Sequence, residues 1–259
     1  MNSFETFLKQ RSENIAAISE SARILEISNQ WVQEVSAYKY IFNYDWFGRP
    51  IIQMGSDMIA VQEVIWRTKP DLIIETGIAH GGSLIYHASL LAMLDLCEAA
   101  ENGGAVDPRN PSRRVLGIDI DIRPHNRKAI EGHPFFGYID MFEGSSIDLG
   151  MISRVKTFAK NFSRIMLVLD SNHTEAHVLA ELEGYADLVS PGCYCIVFDT
   201  AIENMPEGHY TDRPWGKGDN PLSALRKYLP SHPEFSVDHE FDGKILIGNA
   251  PGGFLRRKE

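Results

Sequence analysis

The sequence predicts an α/β fold, Rossmann-like, with a mostly parallel seven-stranded sheet. From Pro70 onward, short apolar runs alternate with amphipathic segments, which is the pattern of parallel strands joined by crossover helices. The first apolar run ends in a glycine-rich turn that opens a helix. Near the end of the chain, two apolar runs flank Asp242-Gly243, which is the strongest short signal for an antiparallel hairpin.

Composition excludes several other classes. The 259 residues carry a formal net charge of −10, and 44% of them are hydrophobic, as in a globular protein with a real core. A nucleic-acid partner is not expected, because no basic stripe precedes the short run Arg256–Lys258. We expect no membrane partner either, since the first residues lack a signal-peptide core and no stretch reaches spanning length. Cys97, Cys193 and Cys195 have no zinc-like spacing, so free thiols and a cytoplasmic location are expected.

Residues 1–55 precede the first strong strand and are predicted to form an N-terminal helical arm. Apolar residues recur there near helical spacing, and an aromatic turn, Tyr44–Pro50, follows. The arm is expected to pack on the main domain or on a second subunit, which predicts a homo-oligomer. The main domain is assigned to residues 56–259 and begins with a helix over Asp57–Lys69.

The strands of the main domain can be placed in order. We expect parallel strands at Leu72–Glu75, Val115–Ile120, Tyr138–Phe142, Ile165–Leu169 and Tyr194–Phe198. A helix capped by Asn220 then precedes the hairpin strands, Phe235–Phe241 and Lys244–Asn249. Five parallel strands followed by an antiparallel hairpin is the layout expected of class I S-adenosylmethionine methyltransferases, whereas plain dinucleotide-binding domains lack the hairpin.

The first strand and its turn form the richest motif. Glu75 ends the strand, and Gly77, Gly81 and Ser83 follow in a turn that opens a helix, where glycine lets a ligand approach the backbone closely. These four residues are the candidate cofactor contacts. The match is to acidic-x-G-x-G-x-G with Ala79 at the middle glycine, rather than to the G-x-G-x-x-G of dinucleotide sites. A tight turn without a ligand is the alternative.

The ends of the next two strands supply further cofactor candidates. Asp119 can accept hydrogen bonds from both ribose hydroxyls of a nucleoside, or it can be a solvated strand-end residue or helix cap. Ser145 lies where a contact with the adenine edge would fall, and it could equally be the N-cap of the next helix.

The fourth strand ends in Asp170, and His173 follows three residues later. Both face the crevice at the carboxyl ends of the strands, where open α/β sheets bind ligands. His173 is the candidate general base, because imidazole titrates near neutrality. Asp170 would orient the base or the acceptor. A surface histidine in the first turn of a helix is the alternative for His173.

The fifth strand ends in Asp199. With Asp170 it could hold a divalent cation such as Mg²⁺ through oxygen ligands, or it could accept hydrogen bonds from loop amides.

The segment Ala201–Asn220 is too long for a simple connection. Its aromatic, cationic and hydrogen-bonding groups suit a polar acceptor, and a disordered surface loop is the alternative. The candidate substrate contacts are Asp199, His209, Tyr210, Arg213 and Trp215.

Together these motifs resemble the cephalosporin hydroxylase and rhamnosyl O-methyltransferase family over roughly residues 44–250. The segments that carry the resemblance are Tyr44–Gln53, Asp71–Leu84, Gly117–Asp121, Leu169–Thr174 and Pro191–Thr200. The resemblance implies an S-adenosylmethionine-dependent O-methyltransferase with Glu75, Gly77, Asp119 and Ser145 around the cofactor. The chain is also similar to macrocin-type sugar O-methyltransferases, in which a histidine placed like His173 is the proposed base. In metal-dependent relatives, however, strand five ends in a Glu-Asp pair, and Phe198 stands here in place of the glutamate.

The functional hypothesis is therefore methyl transfer from S-adenosylmethionine to a sugar hydroxyl. The sugar could be nucleotide-linked, part of a surface polysaccharide or part of a glycosylated metabolite. An NAD-dependent oxidoreductase and a non-catalytic oligomeric scaffold of the same fold are the alternatives.

Overall fold

The structure is a computed structural model that describes residues 2–259. Its helices are α1 (Ser3–Ser19), α2 (Ala22–Ser36), α3 (Gly55–Thr68), α4 (Gly82–Asn102), α5 (Pro124–Glu131), α6 (Leu149–Ala159), α7 (Glu175–Tyr185), α8 (Pro221–Tyr228) and α9 (His239–Ile245). Its strands are β1 (Tyr44–Trp46), β2 (Arg49–Ile51), β3 (Leu72–Thr76), β4 (Arg114–Asp119), β5 (Ile139–Glu143), β6 (Ile165–Leu169), β7 (Tyr194–Val197), β8 (Phe235–Val237) and β9 (Phe254–Arg257).

Seven of the strands form one sheet in the order β5-β4-β3-β6-β7-β9-β8. Strands β3 to β7 are parallel, and β9 runs antiparallel to both β7 and β8. This topology confirms the predicted fold class. The chain moves outward from β3 through β4 to β5 and then returns to the other side of β3 as β6. The carboxyl ends of β3 and β6 therefore flank the point where the strand order reverses, which is where such sheets bind ligands.

The sheet is covered on both faces, so its central strands β3, β6 and β7 are buried along their whole length. All five residues of β3 are buried. Ile73 packs on the side that α3 and α4 cover, whereas Leu72 and Ile74 pack on the side of α6, α7 and α8. Burial of each such side chain contributes roughly 1.5–3 kcal/mol to folding. These two core layers fix the strand ends that carry the polar residues.

Helix α4 has the length and composition of a membrane span, with 21 residues and a mean hydropathy of 1.2 over 18 of them. The expectation that no stretch reaches spanning length was therefore wrong. In this fold α4 is the first crossover helix, and Leu84, Ile85 and Leu91 are buried against the sheet.

The C-terminal antiparallel pair is present, but its boundaries differ from the prediction. Asp242-Gly243 lies inside α9 instead of forming a hairpin turn, and the last strand is β9 rather than Lys244–Asn249. The reason is tertiary packing: a Cβ atom on Gly243 would lie 2.7 Å from the Ile15 carbonyl oxygen of α1. The glycine thus serves close helix packing, a use that a local turn pattern does not reveal.

The N-terminal arm is helical over Ser3–Ser19 and Ala22–Ser36, as predicted. Near the end of the arm, however, the aromatic segment forms a small antiparallel hairpin, β1–β2, with Phe47 and Gly48 at positive φ in its turn. Edge-to-face contacts between Trp31, Tyr40 and Tyr44 join α2 to this hairpin. The hairpin and α2 are thereby held next to the carboxyl end of the sheet.

Candidate active site

The glycine-rich turn lies between β3 and α4, against the end of β6. Gly77 and Gly81 have φ values of 90° and 84°, and Ala79 between them also has a positive φ of 45°. A Cβ atom on Gly77 would lie only 2.1 Å from the Asp170 carbonyl oxygen. Position 77 therefore requires glycine both for its conformation and for the close approach of β6.

Three polar side chains hold this turn in shape. The Asp119 carboxylate accepts hydrogen bonds from the backbone N–H groups of Ile78 (2.8 Å) and Ala79 (3.3 Å). Asn126 donates to the Ala79 carbonyl at 2.9 Å, and Arg49 donates through Nε to the His80 carbonyl at 3.0 Å. Both residues were missed from sequence: Asn126 belongs to none of the motifs, and Arg49, although it lies in the segment Tyr44–Gln53, was not assigned a role.

Glu75 is fully buried beneath the turn. Its carboxylate accepts a hydrogen bond from the Ser83 hydroxyl and lies 2.9 Å from His87 Nδ1. Both oxygens of Glu75 thus have partners within the protein. Gly77 and Ser83 line the large cleft described below, whereas Glu75, Gly81 and Asp119 form the structure behind it.

Ser145 lies in the loop between β5 and α6. The N-cap of α6 is Asp148, whose side chain accepts hydrogen bonds from the backbone of Gly150 (2.9 Å) and Met151 (3.1 Å). The alternative reading of Ser145 as the helix cap is therefore wrong. Its predicted contact with the adenine edge stays a prediction.

Asp170, His173 and Asp199 come together at the ends of β6 and β7. One donor atom from each lies within 4.8 Å of the others, and His173 Nε2 is 3.3 Å from Asp199 Oδ2. The carboxylate beside the imidazole is thus Asp199. Asp170 instead accepts a hydrogen bond from Gln53 Nε2 at 3.1 Å. Sequence reasoning missed Gln53, although it ends one of the segments that carried the family resemblance.

The clustered carboxylates favour either protonation of one of them or binding of a cation between them. The pKa of Asp170 is raised well above its usual range, first by burial and then by the negative charges of Asp199 and Glu75. Two carboxylates and one imidazole form a donor set that fits a divalent cation. Phe198 adds no ligand, because its side chain has no donor atom, and it packs in the core instead.

The segment that follows Asp199 covers the cluster. The Trp215 ring packs edge-to-face on His173 with centroids 4.7 Å apart, and the Arg213 guanidinium lies 5.5 Å from the Trp215 ring. Burial and the charge of Asp199 raise the pKa of Tyr210 to about 12, so its hydroxyl stays protonated. His209 Nε2 lies 2.9 Å from the Ser36 hydroxyl on α2.

The Asp170–His173–Asp199 cluster, the segment that covers it and part of the glycine-rich turn border one cleft of about 870 Å³. The predicted site residues that line it are Gly77, Ser83, Asp170, His173, Asp199, His209, Tyr210, Arg213 and Trp215. The predicted cofactor residues Glu75, Gly81, Asp119 and Ser145 do not. The arm contributes Val32, Val35 and Ser36 to the wall of the cleft, a role that helical periodicity does not indicate.

Known proteins share both this sequence pattern and this fold. The sequence profile described as Rhamnosyl O-methyltransferase/CmcI matches residues 38–258. The Rhamnosyl O-methyltransferase of Mycobacterium tuberculosis is 29% identical over 204 residues, which are 78% of this chain and 73% of the relative. That of Mycobacterium leprae is 26% identical over 218 residues, which are 82% of each chain.

The solved structure of CmcI with Mg and SAM has the same fold. Its TM-score is 0.56 at 18% identity, and the match covers 84% of this chain and 78% of CmcI. The profile match spans the hairpin, the glycine-rich turn, the Asp170–His173–Asp199 cluster and the antiparallel strands. The chain therefore belongs to the rhamnosyl O-methyltransferase/CmcI family.

Proposed function

We propose that this protein transfers a methyl group from S-adenosylmethionine to a hydroxyl group of a sugar, with His173 as the general base. Family membership supports the enzyme class, an S-adenosylmethionine-dependent O-methyltransferase. The names of the mycobacterial relatives favour a sugar acceptor. The single observation that carries the proposal is the meeting of the glycine-rich turn and the Asp170–His173–Asp199 cluster in one cleft.

The glycine-rich turn and the residues around it would hold the methyl donor. Gly77 and Ser83 line the cleft, while Glu75, Gly81 and Asp119 keep the turn in place. Asp119 and Ser145, at the ends of β4 and β5, are the proposed contacts for the ribose and the adenine. When bound, S-adenosylmethionine supplies an electrophilic methyl group and leaves as S-adenosylhomocysteine.

His173 accepts the proton that the sugar hydroxyl loses as its oxygen bonds to the methyl carbon. Imidazole is the side chain that most often serves as a general base in enzymes. Asp199, 3.3 Å from Nε2, orients the ring and stabilises the imidazolium that forms. Holding the hydroxyl between the base and the methyl group supplies much of the rate acceleration.

A divalent cation such as Mg²⁺ would be held by Asp170 and Asp199. When bound, it supplies positive charge that favours the deprotonated form of the acceptor hydroxyl. Asp199, His209, Tyr210, Arg213 and Trp215 would hold the sugar. Trp215 offers an apolar face beside His173, and Arg213 offers a cation.

The test combines binding with turnover. We expect micromolar binding of S-adenosylhomocysteine in isothermal titration, and methylation of p-nitrophenyl α-L-rhamnoside measured with radiolabelled S-adenosylmethionine. The variant His173→Ala should lose turnover by about 10²–10⁴-fold and keep the binding. The exposed His125 on α5 provides the matched control, His125→Ala, with unchanged turnover. Unchanged turnover in His173→Ala would rule out the general-base role, and a chelator series on the wild type tests the cation.

We also propose that the arm, residues 1–55, joins two copies of this chain. Helices α1 and α2 leave apolar side chains exposed, namely Phe4 (65%), Phe7 (56%), Ile24, Leu25 and Ile27. Light scattering on the eluting protein is expected to give a multiple of 29.1 kDa for the wild type and a smaller mass for Phe4→Ser/Phe7→Ser. A monomeric wild type would contradict the proposal.

A further inference from the structure

Asp57 is a buried carboxylate outside the catalytic cluster. It lies in the first turn of α3, has no exposed surface and does not line the cleft. Oδ2 accepts a hydrogen bond from the Asn249 backbone N–H at 2.7 Å, whereas Oδ1 has no partner among residues 2–259. A buried carboxylate with one unpaired oxygen destabilises a fold, so its presence calls for an explanation.

Asn249 connects Asp57 to the residues that follow Asp199. Asn249 lines the cleft, and its backbone carbonyl accepts a hydrogen bond from the Ala201 N–H at 3.2 Å. The Thr200 hydroxyl also lies 3.5 Å from that carbonyl and donates to the Pro251 carbonyl at 2.8 Å. Two backbone groups of one residue thus link α3 to the turn at the end of β7.

The backbone conformation of Asp199 depends on hydrogen bonds of this kind. Its φ of 56° is a left-handed conformation that a non-glycine residue keeps only when its surroundings enforce it. Without the enforced turn, the carboxylate would not be held 3.3 Å from His173 Nε2.

The chain also passes unusually close to Asp57. A Cβ atom on Gly248 would lie 2.5 Å from Asp57 Oδ1, so the carboxylate fills the space that a side chain would take. Ser56, the neighbour of Asp57, donates to the Ile247 carbonyl. The start of α3 therefore fixes the whole segment 247–249.

We propose that Asp57 is a positioning residue for methyl transfer: through Asn249 it fixes the turn that holds Asp199 beside His173. The proposal rests on the proposed function, in which Asp199 orients the base. Asp57 touches none of the reacting groups and acts on the turn through the backbone of Asn249.

The test compares variants of the full-length protein. Asp57→Ala removes the acceptor for Asn249, whereas Asp57→Asn keeps an acceptor oxygen in the same place. Asp71→Ala is the matched control, because the Asp71 carboxylate, like that of Asp57, accepts hydrogen bonds from the backbone of a distant segment, namely from the N–H groups of Ser163 and Arg164 at 2.8 Å each, but at the opposite end of the sheet. The measurements are kcat and KM with p-nitrophenyl α-L-rhamnoside, the Kd of S-adenosylhomocysteine, and amide hydrogen exchange over residues 199–204.

We expect Asp57→Ala to lower kcat at least tenfold, to leave the Kd within twofold and to speed exchange over residues 199–204. Asp57→Asn should restore kcat to within threefold of the wild type. Asp71→Ala should lower stability and leave both kcat and that exchange unchanged. A fall in kcat as large for Asp71→Ala as for Asp57→Ala would overturn the proposal, as would a folded Asp57→Ala with wild-type kcat.

A second variant tests the same connection if Asp57→Ala does not fold. Thr200→Val removes the hydroxyl contacts with Asn249 and Pro251, and we expect the same loss of kcat with unchanged Kd; wild-type kcat in this variant contradicts the proposal. If the wild type methylates no rhamnoside, the proposed function fails on its own. The exchange measurement then still decides on Asp57, since faster exchange over 199–204 in Asp57→Ala, but not in Asp57→Asn, supports its positioning role.

Discussion

At the scale of single residues, Gly77 is the position with the least freedom in the site. Its φ of 90° is unfavourable for any side chain, and a Cβ atom would collide with the Asp170 carbonyl at 2.1 Å. Gly77→Ala must therefore separate β3 from β6 or distort the turn. We expect S-adenosylhomocysteine affinity to fall more than tenfold, measured by isothermal titration.

Gly103 is the matched control for Gly77. It also has a left-handed conformation, with φ of 72°, but no atom lies within 4 Å of a Cβ placed there. Gly103→Ala should cost only about 1 kcal/mol of stability, from backbone strain, and leave the affinity unchanged. Equal affinities of the two variants for S-adenosylhomocysteine would show that the close approach of β6 at Gly77 does not affect cofactor binding.

The clustering of the candidate site residues was predictable where they lie at strand ends. Asp170, His173 and Asp199 were found because the carboxyl ends of parallel strands meet at one edge of the sheet. The partner of each residue was not predictable, because pairing depends on side-chain placement across distant segments. Gln53 reaches Asp170 over 117 positions of sequence, and no periodic pattern encodes such a contact.

At the scale of elements, α2 and the loop after Asp199 form one unit. Gln33 donates to the Asn204 carbonyl at 2.9 Å, and Ser36 pairs with His209 at the same distance. The helical arm thus holds one of the candidate substrate contacts in place. A polar link of this kind contributes about 1 kcal/mol.

Removal of this link should weaken acceptor binding alone. We expect Ser36→Ala/Gln33→Ala to raise the KM of p-nitrophenyl α-L-rhamnoside roughly fivefold or more, since two links of about 1 kcal/mol each are lost. S-adenosylhomocysteine affinity should stay constant. Gln30→Ala, on the same helix but bonded only to Glu26 at 3.5 Å, is the control. A KM equal to that of the control would show that the hydrogen bonds from α2 do not contribute to acceptor binding.

Element boundaries were predictable where burial dictates them. The five parallel strands agree with the prediction to within a residue at each end, because both faces of the sheet are covered and each strand reads as an apolar run. The hairpin turn predicted at Asp242-Gly243 was wrong, because a tertiary contact rather than local burial determines the conformation there. Its glycine is required by the approach of α1, a contact between parts of the chain more than 200 residues apart.

At the scale of the whole molecule, the fold concentrates acidic groups at one end of the sheet. Glu75, Asp170, Asp199 and Asp57 all lie near this end of the sheet, where burial and the neighbouring negative charges raise the pKa values of Asp170 and Asp57. The alternation of elements predicted a mostly parallel sheet, and the polar residues at the strand ends predicted at which edge of the sheet the candidate site lies. The electrostatic consequence was not, because it depends on how deeply each carboxylate is buried.

This charge distribution makes stability depend on pH through Asp57. Burial, followed by the charge of Asp199, raises its pKa from 3.8 to about 7, while the hydrogen bond from Asn249 lowers it. Between these two values the folded protein keeps a proton on Asp57 that the unfolded chain releases. Stability therefore falls as pH rises from about 4 to about 7, by about 4 kcal/mol for three pH units.

Asp57→Asn should remove this part of the pH dependence, since an amide does not titrate. We expect the free energy of unfolding, from urea titrations at pH 5 and pH 8, to decline less with pH in this variant than in the wild type. Asp121→Asn changes an exposed carboxylate and should follow the wild type. If Asp57→Asn declines as steeply as the wild type, Asp57 is ionised in the folded protein throughout this range. In that case the side chain that fixes the turn at Asp199 is a buried carboxylate rather than a buried carboxylic acid.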